Sequence, residues 1–227
     1  MNKMNSSENV HFFIDINPLL EDKYSGIPLL TKEISKNFLN KRNVTFFIDD
    51  VVIPNEIVEN TVNFNGPLWL DMALSEVKNL VPLYEVLYQK KAFKKIGLFT
   101  NTINRICFDF YVLIVHDISY ILDYTVHSKE TINFHCLDIE RNKNLVDLFL
   151  TVSKSTAEDI NYYLGYPKEK IKVLPIGAEL PQRFKIPKFL KGKEKPFALF
   201  LGTLEPRKNI LSIFEVISKN RDLLEKI

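Results

Sequence analysis

The chain has 227 residues, 46% of them hydrophobic and 17 of them Phe, enough for a sizeable core in one large domain or one domain plus part of another. Its 30 basic and 28 acidic residues leave a formal charge of +2, which argues against a dedicated nucleic-acid binder while allowing a local basic patch. No apolar run approaches the ~20 residues of a membrane span, and the polar start MNKMNSSENV lacks the apolar core of a secretory signal, so the expected location is cytoplasmic.

VHFFIDIN, residues 10–17, is a run of strand formers closed by Pro18. A polar loop then leads to Ile27, Leu30, Ile34 and Phe38, spaced as one face of a helix, with Pro28 suited to its first turn. VTFFIDDVVI reads as the next strand region, and WLDMALSEVKNLVPLYEVLYQKKAF reads as helix, broken or kinked near Pro82. FYVLIV, residues 110–115, has the unbroken apolarity of a buried strand and ends abruptly at His116-Asp117. A helix is expected around residues 129–144 and a strand at DLFLTV, residues 147–152. Ser155 and Glu158 have capping-box spacing for the following helix, which Gly165 and Pro167 stop. KIKVLPIG is one more strand. Residues 179–196, rich in Pro and Lys without periodicity, read as an interdomain linker. FALFL then opens a new strand, Gly202 turns it, and Ile210, Ile213, Phe214, Ile217 and Leu224 line a helical face.

Strands alternating with helices imply an α/β fold with a doubly wound parallel sheet, which binds ligands beyond the carboxyl ends of its strands. The boundaries expected are a first domain over 1–180, a linker over 181–196, and one strand-helix unit of a second domain over 197–227. Three strand ends carry unusual residues: Tyr24-Ser25-Gly26, His116-Asp117, and Thr203 to Lys208.

Gly26 stands just ahead of a helix start, where unpaired N–H groups and partial positive charge attract phosphate and a glycine lets it approach; a plain turn glycine is the alternative. His116 at a strand's carboxyl end is placed to bond a sugar hydroxyl or handle a proton, or else to cap the strand. In GTLEPRKN, Arg207 and Lys208 enter a helix with Asn209 as N-cap, a cationic arrangement suited to a diphosphate and equally to an ordinary solvated pair. YQKKAFKK interleaves Lys90, Lys91, Lys94 and Lys95 with aromatics, either as a solvated helix face or as peripheral contact with an anionic membrane surface or a lipid-linked substrate. Asp15, Asp49 and Asp50 end strands, but no spacing pairs them. Cys107 and Cys136, in apolar surroundings without metal-ligand spacing, read as buried, reduced thiols.

Four stretches in order, SGI, IVHDISYI followed by HSKETINFH, FLTVSKSTAEDINYYLGYPKEKIKVLPIG and LFLGTLEPRKNI, give the chain a resemblance to GT-B glycosyltransferases of the retaining family 4, or group 1, nearest the bacterial mannosyltransferase-like members. The resemblance is weakest across residues 50–100. It implies two Rossmann-like domains facing a cleft, the first mainly for the acceptor and the second for the sugar nucleotide. It implies transfer of a hexose such as mannose from a GDP- or UDP-linked donor to a glycan or lipid-linked acceptor in polysaccharide biosynthesis, without metal or other cofactor. On the family pattern Gly26, Arg207 and Lys208 would contact the donor diphosphate and His116 the transferred sugar. Thr203 stands where the family often has an arginine, which leaves more of that charge to Arg207. The family's second domain continues past this point with a Glu-x7-Glu motif. The resemblance therefore implies negligible activity of this chain by itself, or a role as an acceptor-binding or interaction module completed by another chain or by self-association through residues 197–227. A non-transferase relative such as a sugar-nucleotide epimerase is argued against by HDISYI and GTLEPRKN together.

Overall fold

A computed structural model describes residues 9–21, 26–63, 68–77, 79–103, 106–177, 199–202, 204 and 206–220. By contact these fall into two units, one containing residues 9–118 and 135–176 and the other residues 119–134 with the described part of 177–220.

The first unit is a seven-stranded sheet in the order β3-β2-β1-β4-β5-β6-β7. Its strands are β1 (Val10–Asp15), β2 (Val44–Ile48), β3 (Val51–Ile53), β4 (Lys94–Phe99), β5 (Phe110–Val115), β6 (Leu148–Thr151) and β7 (Ile171–Val173). All neighbours are parallel except β2 and β3. With helices flanking the sheet, this is the doubly wound, Rossmann-like α/β architecture that the alternation of elements predicts.

Register explains the two cores. Phe46, Ile14, Leu98, Val112 and Leu148 form one lateral row. On that face Ile14, Phe46 and Ile48 join Leu19, Val58 and Val62 in a core against which Ile34 and Phe38 pack. Ile34 and Phe38 come from α1 (Gly26–Phe38), Val58 and Val62 from α2 (Asn55–Asn63). The adjacent row, Thr45, Phe13, Gly97 and Tyr111, faces the other side. There Phe108 stands 5.5 to 5.9 Å from the rings of Phe13, Phe47, Phe99 and Tyr111, an aromatic cluster over the middle of the sheet.

Several local expectations change. VTFFIDDVVI is a hairpin of two antiparallel strands, turned at Asp49, whose φ of +50° is a left-handed conformation. At Pro82 the helical stretch is broken, one of the two expected outcomes, and not kinked: Pro82 is the extended residue before α4 (Leu83–Gln89), separate from α3 (Leu68–Glu76). Residues 81–83 also cover the outer edge of β3, with the Val52 N–H donating to the Val81 carbonyl and the Leu83 N–H to the Asp50 carbonyl. The lysine-rich stretch opens β4, a strand the helical reading misses. The most buried stripe of α1 is Pro28, Thr31, Lys32 and Ser35, with the apolar positions on its flanks. Cys107 is exposed, so burial of both thiols is not observed.

The helix α5 (Ser119–Leu122) belongs to the second unit; α6 (Lys129–Asn142) follows it, and α7 (Lys154–Tyr163) lies between β6 and β7. α7 is capped by Ser153, whose Oγ accepts from the Thr156 N–H at 3.0 Å, and not by the expected Ser155–Glu158 box. Gly165, with φ +69°, follows the helix end as expected. In the second unit α8 (Ile210–Lys219) forms where the periodicity places it. The strand expected before it lies partly outside the described residues, and Leu199, Phe200 and Leu201 form no strand. Leu224 and the linker at 179–196 also lie outside the described residues. Among the described residues no helix is long and apolar enough to cross a membrane.

Candidate functional site

From β1 the chain turns toward β2 on one side of the sheet, and β4 lies on the other, so the crevice between the carboxyl ends of β1 and β4 is the topological switch point. Around it stand Asp15 at the end of β1 and Asn17 after it, the first turns of α1, Thr100 after β4, and His116 after β5.

Asp15 is 1% exposed. Its Oδ1 accepts two hydrogen bonds from Asn17, from the backbone N–H at 3.0 Å and from Nδ2 at 2.7 Å. Burial pushes its carboxyl up to about 7; the Asn17 bonds pull the other way, and the nearby Asp49 charge adds to the rise. Near neutral pH this group therefore exchanges a proton readily, the property a general acid or base needs.

Thr100 is fully buried and joins four elements. Its Oγ1 lies 2.9 Å from Thr31 Oγ1 on α1 and 3.4 Å from the Asp15 carbonyl oxygen, and its own carbonyl oxygen lies 3.1 Å from Nε2 of His116. The backbone of His116 is held as well, because Thr156 Oγ1 donates to its carbonyl at 3.2 Å. Burial lowers the pKa of His116, partly offset by the Thr100 carbonyl and the Asp117 charge, which favours the neutral ring.

Of the residues singled out from sequence, Gly26 and His116 both stand at the carboxyl edge of the sheet. Gly26 is the first residue of α1, and a Cβ built there meets nothing within 4 Å, so packing does not demand the glycine. Thr203 lies outside the described residues. Arg207 and Lys208 belong to a 3-10 turn, Pro206–Lys208, in the second unit, with Lys208 exposed. Asn209 takes the N-cap position of α8 with φ +46°, but its side chain caps no N–H; Oδ1 instead accepts from Ser212 Oγ at 2.7 Å.

The lysine cluster stands at the opposite, amino edge of the sheet, where Lys94 opens β4. Lys90 lies over Phe93, Lys91 over Tyr88 and Lys94 over Phe110 at 5.4 to 5.6 Å, and Lys95 is paired with Asp109 at 3.1 Å. Sequence reasoning missed Thr31, Thr100, Asn17 and Thr156. The only local signal for them was polar residues at strand ends and inside a helical stripe. Compared with known proteins, the chain matches no family model, no curated protein and no solved structure.

Proposed function

We propose that the chain takes part in retaining glycosyl transfer of the GT-B, family 4-like kind, moving a hexose such as mannose from a GDP- or UDP-linked sugar to a glycan or lipid-linked acceptor in polysaccharide biosynthesis. The observation that carries this reading is His116, held by Thr100 and Thr156 at the carboxyl edge of a Rossmann-like sheet, the same edge at which α1 begins. A neutral imidazole suits a sugar hydroxyl, and a helix N-terminus entered by a glycine suits a diphosphate. Thr203, Arg207 and Lys208 would add donors and positive charge against the leaving diphosphate, work that needs no metal ion. Any contact of Lys90 to Lys95 with an anionic membrane surface would be made from the edge of the sheet remote from His116, and so would orient the protein without touching the reacting groups.

Calorimetric titration with UDP-glucose and GDP-mannose tests the reading. Binding weaker than a Kd of about 10 μM is expected for this chain, and it should be lost in Lys208→Ala. No heat from either nucleotide sugar at millimolar concentration would refute it.

A second reading, an interaction module completed by another chain, is favoured by α8, which leaves Leu211 76%, Phe214 63% and Val216 54% exposed. Light scattering coupled to size exclusion separates the two: a strict monomer at all concentrations counts against self-association.

A further inference from the structure

Thr31 and Thr100 are both 0% exposed, so their hydroxyls cannot trade protein partners for water. Each hydroxyl has one proton. Thr31 Oγ1 lies 2.9 Å from Thr100 Oγ1 and 3.0 Å from the Ile27 carbonyl oxygen, and Thr100 Oγ1 lies 3.4 Å from the Asp15 carbonyl oxygen, so the two protons are shared among these three contacts. This chain ties the end of β4 to β1 and to α1, and so fixes where the Thr100 carbonyl points. That carbonyl lies 3.1 Å from His116 Nε2. A carbonyl oxygen only accepts, so Nε2 carries the ring proton and the lone pair of the neutral imidazole lies on Nδ1.

We infer that Thr100 is the positioning residue of this site: it commits the Nε2–H of His116 and makes the ring a hydrogen-bond acceptor through Nδ1, which selects a ligand hydroxyl over a phosphoryl group at that point. The assignment of that hydroxyl to a sugar rests on the glycosyl-transfer reading; the tautomer and its selectivity do not. A phosphoryl oxygen presents lone pairs to a lone pair and is repelled, whereas a hydroxyl donates. Accepting an anion would require a second proton on the ring. Burial opposes that, and Asp117, the charged neighbour favouring it, acts more weakly than burial does.

Long-range proton–nitrogen correlation spectra of the 15N-labelled full chain at pH 7, without ligand, read the tautomer directly. Replacement by His116→Gln assigns the signals. The Nε2–H form is expected to dominate in the wild type and in Thr100→Ser, which keeps the hydroxyl. Thr100→Val should raise the minor Nδ1–H form several-fold, and the milder Thr31→Val, which cuts the same chain from α1, should raise it in the same direction. An Nδ1–H ring or an imidazolium in the wild type would overturn the inference, as would spectra unmoved by both valine variants. On adding ligand, the Nδ1 signal is expected to shift with methyl α-mannoside and not with dimethyl phosphate, which carries no P–OH at pH 7; the reverse pattern would overturn the selectivity. Absence of any sugar-nucleotide binding would sink the glycosyl-transfer proposal and leave the ligand-free spectra to stand or fall separately.

Discussion

Phe108 lies so close over Gly97 that a methyl group on Gly97 would come within 2.6 Å of Phe108 Cδ2 and 2.9 Å of Phe99 Cε2. The glycine is the gap in its row, between Phe13 and Tyr111, into which the aromatic cluster settles. Gly97→Ala must therefore displace Phe108, which is ringed by Phe13, Phe47 and Tyr111. The expected cost is about 1–3 kcal/mol of overpacking, read from the midpoint of urea unfolding.

Two titrating residues on β1 oppose each other. The carboxyl of Asp15 is raised from 3.8 to about 7, so the folded state holds a proton that the unfolded state has lost, and stability falls as pH rises from about 4 to 7. His11 is buried, bonded through Nε2 to Thr45 Oγ1 and near Lys90; burial first, then that charge, lowers it from 6.5 to about 4. Its folded state lacks a proton that the unfolded state binds, so stability rises between about 4 and 6.5. The wild type should show a shallow profile where the two windows overlap. Asp15→Asn should unmask the rise, and His11→Gln the fall, with slopes of at most about 1.4 kcal/mol per pH unit. Chemical denaturation at pH 4.5, 5.5, 6.5 and 7.5 measures both; parallel profiles in the wild type and the variants would refute this account.

Gly26 separates packing from binding. Since a Cβ there meets nothing within 4 Å, Gly26→Ala should leave stability within about 0.5 kcal/mol of the wild type. If the first turn of α1 receives a diphosphate, the same variant should weaken calorimetric binding of UDP-glucose or GDP-mannose several-fold. Unchanged affinity would remove Gly26 from the donor site.

Ser153 and Ser155 test the cap of α7. Ser153→Ala should cost about 1 kcal/mol, because the Thr156 N–H loses its acceptor, whereas Ser155→Ala should cost almost nothing. Thermal melts of the two variants suffice. The first should also disturb His116, whose carbonyl depends on Thr156.

What could be read from sequence follows locality. FYVLIV became β5 with no shift at either end, since a strand buried on both faces needs no alternation and His116-Asp117 marks its stop. β4 was illegible. KKIGLF begins with two lysines in continuity with a helix and carries a glycine whose purpose, space for Phe108, is visible only across eleven residues of chain and a sheet face. The polar stripe of α1 misled for a related reason: Thr31 is buried to meet Thr100, sixty-nine residues away, and no helical periodicity encodes that meeting. His116 could be nominated from its place after β5, but its partners could not, because Thr100 and Thr156 come from other elements.

The short segment at residues 81–83 bears on how the protein behaves in concentrated solution. A sheet grows by adding strands where backbone donors and acceptors stand unpaired, and the outer side of β3 would be such a place. There Val81 and Asp50 carbonyls already take the Val52 and Leu83 N–H groups, and Pro82 contributes no donor of its own. A second molecule approaching that side would have to peel this segment away first. At the other end of the sheet β7 is three residues long and carries an exposed Lys172. A chain nearly half apolar is thus given little opportunity to zip onto its own copies through either border of its sheet.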